Sequence, residues 1–106
     1  MTSMAVRRRL VVDLEETIEG QGWLPMYDFM WTLRGYDLDL TTEQMLSLCA
    51  DVHAELIVKH RLKLVWTNWP IDIDDAWTAG PGTKLDFDLD PDASVDEPLL
   101  VLVPVR

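Results

Sequence analysis

The chain has a single cysteine, Cys49, few cations and no long apolar run. One thiol cannot close a disulfide within the chain, so the fold must rest on its own core rather than on oxidised cross-links. No stretch approaches the roughly 20 apolar residues of a membrane span. After Arg7-Arg8-Arg9, only Leu10 to Val12 are apolar before Asp13, which is too short for a signal-peptide core. Together these absences point to the cytoplasm. Lys and Arg number 9 against 19 Asp and Glu, a net charge of −10. Such a charge favours solubility and repels phosphate backbones, so a basic protein partner is expected ahead of nucleic acid or an anionic membrane. There is no glycine-rich phosphate loop and no metal-ligand motif, so no cofactor is expected.

What is present suffices for one domain. At 106 residues with 48% apolar side chains, the chain can fill a single core. Residues 1–7 are expected to fray, 8–60 to be helical and 61–106 to be β-rich. In the first helix, Arg8 to Glu19, Leu10, Leu14 and Ile18 recur every four residues with Val11 beside them. Asp13, Glu15, Glu16 and Glu19 take the wet face, and Gly20 and Gly22 end the helix. The second helix is expected to open on Pro25, with Trp23 as a staple before it and Met26, Phe29, Met30 and Leu33 on one face. Gly35 is its natural stop. The third has the clearest start: Thr41 and Gln44 form a T-x-x-Q capping box. Met45, Leu48, Cys49, Val52 and Leu56 then make an apolar face up to Lys59 or His60.

The period next changes to two. Leu62, Leu64 and Trp66 alternate as a strand. A long connection from Pro70 to Gly82 follows, with a short helical turn expected over Asp72 to Trp77. Lys84 to Leu89 alternates again and predicts a second strand. An acidic turn leads to Leu99–Val103, a continuous apolar run that reads as a more buried strand.

Helix, helix, helix, strand, long loop, strand is the element order of a winged helix. Over Arg8 to Leu89 the chain resembles the winged helix-turn-helix superfold by order and lengths. The resemblance implies an α+β, winged-helix-like domain: three helices with a small antiparallel β-sheet in the C-terminal half. Leu99 to Arg106 would be an extension needing a place as an added third strand. Winged helices often pair through terminal elements, so the resemblance also implies a homodimer.

The resemblance further implies that the helix from Thr42 to Lys59 would enter the DNA major groove. Its exposed residues are Glu43, Gln44, Ser47, Asp51 and Glu55, whereas phosphates and bases are read mostly by Arg, Lys, Asn and Gln. The wing equivalent, Pro70 to Gly82, holds three Asp and no cation. The DNA-binding candidates are therefore Lys59, Arg61 and Lys63, near His60 at the third helix's end. There the helix dipole by itself favours cations.

Two other chemistries are expected to be absent. Asp86, Asp88, Asp90, Asp92, Ser94 and Glu97 have the spacing of an EF-hand loop. Pro91, however, stands where a positive φ is needed, and strands are predicted on both sides where helices are required. Cys49 and His53 share a helical face as a nucleophilic pair would. Cys49 nevertheless sits among Met45, Leu48 and Val52, where a thiol is inert, and no third group orients the pair. No enzyme activity is expected.

Tryptophans beside acid in a loop fit interface anchors. The partner-binding candidates are Trp69, Asp72, Asp74, Asp75, Trp77, Asp86 and Asp88. The expected function is a non-enzymatic interaction module binding a basic partner, as an inhibitor, immunity protein or phage or mobile-element accessory protein would. A winged-helix transcriptional regulator is the alternative.

Overall fold

The computed structural model describes residues 4–68, 70–80, 82–85, 87 and 98–105. Three helices, α1 (Met4–Gln21), α2 (Tyr27–Gly35) and α3 (Thr42–His60), pack on one face of an antiparallel sheet. Its strands are β1 (Leu24–Pro25), β2 (Leu62–Thr67), β3 (Trp77–Thr78) and β4 (Leu99–Pro104), in spatial order β1-β4-β2-β3. The fold is α+β, and its topology is compatible with a winged helix.

The stripe Leu10, Val11, Leu14 and Ile18 is buried on α1. The helix begins at Met4 rather than at Arg8, so residues 4–7 are helical instead of frayed. The arginines tie this end down. Arg7 donates to Glu55 of α3 at 3.2 Å, and the Arg9 guanidinium lies 3.8 Å from the centre of the Tyr36 ring. The Tyr36 hydroxyl in turn donates to Asp13, closing a loop between α1 and the end of α2. Gly22, at φ 84°, takes the left-handed conformation that turns the chain out of α1, with its N–H on the Ile18 carbonyl.

Pro25 lies in β1, and α2 starts two residues later at Tyr27. A proline is tolerated there because β1 is an outer strand of the sheet. Met26 N–H then donates to the Leu100 carbonyl, which fixes the entry to α2 against β4. Phe29, Met30 and Leu33 are buried as their spacing requires. The capping box of α3 is formed in full: Thr41 Oγ1 accepts from Gln44 N–H at 3.1 Å, and Thr41 N–H donates to Gln44 Oε1 at 2.8 Å. Arg61, left-handed at φ 51°, ends α3 and turns the chain into β2.

The sheet departs from expectation. β4 is not an added extension but an inner strand, paired with β2 from Leu62↔Pro104 to Thr67↔Leu99 and with β1 on its other side. The predicted strand over 84–89 is not formed at Lys84, Leu85 or Phe87; residues 86, 88 and 89 lie outside the described ones. Burial explains the exchange. An inner strand covered on both faces needs a continuous apolar run, which Leu99–Val103 supplies and an Asp-bearing alternation cannot. Leu100 and Leu102 join the helical core, while Val101 and Val103 join Val65 on the outer face. Leu85 and Phe87 pack into the helical core from the connection.

Candidate partner-binding surface

The outer face of the sheet would expose Val65, Val101 and Val103 if nothing covered it. The segment 70–80 supplies the cover. Ile71, Ile73 and Ala76 pack onto the three valines, joined from the other side by Trp23. The segment is pinned by Thr67, whose side chain is buried at the end of β2. Its hydroxyl donates to the Asp72 carbonyl at 3.1 Å and accepts from Asp72 N–H at 3.2 Å. Asp72 Oδ1 accepts from Asp74 N–H at 3.0 Å and so caps a single 3-10 turn, Ile73–Asp75. Beyond it, Trp77 and Thr78 pair with Trp66 and Val65 at the sheet edge, and Ala79 N–H donates to the Leu64 carbonyl.

The consequence is a fixed acidic ledge. With the isoleucines turned inward, Asp72, Asp74 and Asp75 are left exposed, and Trp77 stands 44% exposed at the ledge's end. Four of the candidates are thus brought onto one short segment. Trp69, Asp86 and Asp88 lie outside the described residues. Two depressions flank the ledge. One of 380 Å³ lies between Trp23 and Ile71–Asp74, and one of 290 Å³ lies between Lys63, Asp74 and Val103.

Trp23 is the residue that sequence reasoning placed wrongly. As a staple it would sit against α2, but it packs on the outer face of the sheet instead. The available signal was its parity: Leu24 turns to the helical core, so its neighbour must turn away.

Of the DNA-binding candidates, Lys59 and Lys63 line different depressions. Lys59 Nζ lies 3.0 Å from Glu15 Oε2 and lines a groove between α1 and α3. Lys63 lines the depression beside Asp74, and Arg61 caps α3. His60 Nε2 also meets Glu15 Oε2, at 2.6 Å. Burial acts against the Glu15 carboxylate, yet Lys59 and His60 outweigh it and hold its pKa below the usual carboxylate value. On α3, Glu43, Gln44, Ser47 and Asp51 are exposed, and Glu55 is engaged with Arg7. The face that would approach phosphates therefore carries acid.

Cys49 is fully buried, and desolvation pushes its thiol up to about 12 despite the nearby Arg34. A thiolate is the nucleophilic form, and burial disfavours it at this position. His53 sits against the Phe29 and Phe87 rings, and its Nε2 has no hydrogen-bond partner among the described residues. The EF-hand-like spacing falls on residues 86–97, which apart from Phe87 lie outside the described residues. Among the described residues no helix is long and apolar enough to cross a membrane. Comparison with protein-family models, with curated proteins and with solved structures finds no match.

Proposed function

We propose that this chain is a non-enzymatic interaction module that binds a basic protein partner through the ledge of Asp72, Asp74, Asp75 and Trp77. The observation that carries this reading is the way the ledge is mounted. Its apolar residues are spent on covering the sheet, its backbone is held by Thr67 and the Asp72 cap, and its carboxylates and one tryptophan face outward. A preorganised ledge loses little conformational freedom on binding. Clustered carboxylates speed the encounter with a cationic surface, and a half-exposed tryptophan beside them supplies apolar contact area. An inhibitor, an immunity protein or a phage or mobile-element accessory protein would use such a surface.

The test is affinity capture with the whole chain as bait, against a variant carrying Asp74→Asn, Asp75→Asn and Trp77→Ala. All three side chains are exposed, so the variant should keep its melting temperature. Recovery of a basic protein by the parent and its loss in the variant is the expected outcome. Equal recovery by both would remove the ledge from the account.

A winged-helix DNA-binding regulator is the second reading, and the strand order β1-β4-β2 behind α2 and α3 favours it. Its charge distribution opposes it, since phosphate contacts commonly supply much of the affinity for DNA. A gel shift at low salt separates the two. Saturable DNA binding that is lost when Lys59, Arg61 and Lys63 are changed to Ala would reverse their order.

A further inference from the structure

Away from the ledge, α2 carries aromatic and acidic side chains outside its buried stripe. Phe29, Met30 and Leu33 turn into the core, and Tyr27, Asp28 and Trp31 fall on the other side of the helix. Tyr27 and Trp31, one turn apart, meet edge to face, with ring centroids 5.5 Å apart and planes at 64°. Such a pair leaves at least one face of each ring uncovered by the other. Trp31 is 48% exposed, slightly more than Trp77 on the ledge. Tryptophan and tyrosine side by side on a helix surface are residues around which binding energy gathers.

Asp28 indicates what the rings receive. Its carboxylate is half-buried and has neither a hydrogen bond nor an ion pair among the described residues. A carboxylate in the first turn of a helix ordinarily gains from the helix dipole. Here burial dominates and pushes its pKa up. Burial, and after it the Asp28 charge, also raises the Tyr27 hydroxyl, which puts the carboxylate beside that ring. The helix's one cation, Arg34, stands beyond Trp31, about 9 Å along the axis from Asp28. A desolvated carboxylate against two aromatic rings favours a cation from outside. The corner is open rather than enclosed, so an ammonium would keep its water. A planar, weakly hydrated guanidinium instead stacks on an exposed ring and forks onto a carboxylate. Nucleobases also stack on indole, but the phosphates they carry would meet Asp28.

We propose that Tyr27, Asp28 and Trp31 form a second docking surface that takes an arginine side chain of a protein partner, its guanidinium stacked on the Trp31 indole and paired with the Asp28 carboxylate. α2 packs on one face of the sheet and the ledge covers the other, so this surface does not depend on the proposed function of the ledge.

Nuclear magnetic resonance titration of the isotope-labelled whole chain tests it. The probes are capped Gly-Arg-Gly, Gly-Lys-Gly and Gly-citrulline-Gly tripeptides, the last a neutral isostere of the first. The Trp31 indole N–H is expected to shift saturably with the arginine peptide, at a lower half-saturating concentration than with lysine, and to stay still with citrulline. Asp28→Asn should raise the half-saturating concentration about fivefold, as loss of one ion pair does. It should not lower the urea midpoint, because it removes a desolvated charge. Trp31→Ala should abolish the shift read at the Thr32 backbone N–H, and Tyr27→Phe should keep it. A Trp31 resonance unmoved by arginine would overturn the proposal. So would equal responses to all three peptides, or an undiminished response in Asp28→Asn. A shift with protein concentration alone would assign the surface to a second copy and overturn it too. A response confined to the Trp77 indole would keep the ledge and remove this surface.

Discussion

The His53 ring meets the Phe87 ring nearly edge-on, with centroids 5.8 Å apart, and both pack against Phe29. This triad fastens the connection after β3 to α2 and α3. A histidine at its centre, only 8% exposed and with Nε2 unpartnered among the described residues, makes that fastening sensitive to pH. Burial holds the His53 pKa below its ordinary 6.5, so the unfolded chain takes up the proton first as pH falls. Its contribution is fully present above 6.5 and is lost as pH drops from there toward the lower folded value. Urea unfolding midpoints should therefore fall on acidification across this window, and His53→Leu should flatten that decline. A decline unchanged in His53→Leu would assign it to other groups.

The Cys49 thiol provides a second check. Buried and pushed up to about 12, it should resist alkylation in the folded chain and react fully in denaturant. Mass spectrometry after iodoacetamide treatment reads both states. Rapid labelling of the native protein would restore Cys49 as a nucleophile and reopen the question of catalysis.

The capping box should contribute measurably to α3. Thr41→Ala removes the acceptor of Gln44 N–H and should cost about 1 kcal/mol, read as a lower urea midpoint. Thr41→Ser, which keeps the hydroxyl, should recover most of that loss.

Leu102 tests the place of β4. It is fully buried, in register between Leu24 of β1 and Leu64 of β2. Leu102→Ala should destabilise by about 3 kcal/mol, as a truncation in a closely packed core does. A peripheral third strand would predict a much smaller effect, so the same experiment discriminates between the two placements.

The helices were legible because their signals are local. The Leu10–Leu14–Ile18 stripe and the Thr41–Gln44 box lie within one or two turns and need no knowledge of neighbours. The sheet was legible only in part. Leu24–Pro25 is too short to show any period, and it becomes a strand only because β4 offers it a partner. Leu99–Val103 and Lys84–Leu89 both read as strands, and the choice between them depends on burial of both faces, which is a property of the assembled layers. The acid of the ledge could be seen in advance as wet, whereas the exposure of Trp77 could not, since a loop tryptophan can equally fold back onto the domain. The rigidity of the ledge could not, because it rests on Thr67, an ordinary strand residue until its hydroxyl is found buried against Asp72. Trp23 was misread for a related reason: its direction is set by the Gly22 turn and the register of β1.

The ledge is the centre of the functional account, and site-specific photocrosslinking addresses it most directly. A photoreactive side chain is placed at Trp77 in one sample and at Asp51 on the exposed face of α3 in another, and both are irradiated in lysate of the source cells. The account expects a basic protein captured from position 77, displaced when Asp74 and Asp75 are changed to Asn, and no DNA captured from position 51. Capture of DNA at position 51 with no protein captured at position 77 would contradict it.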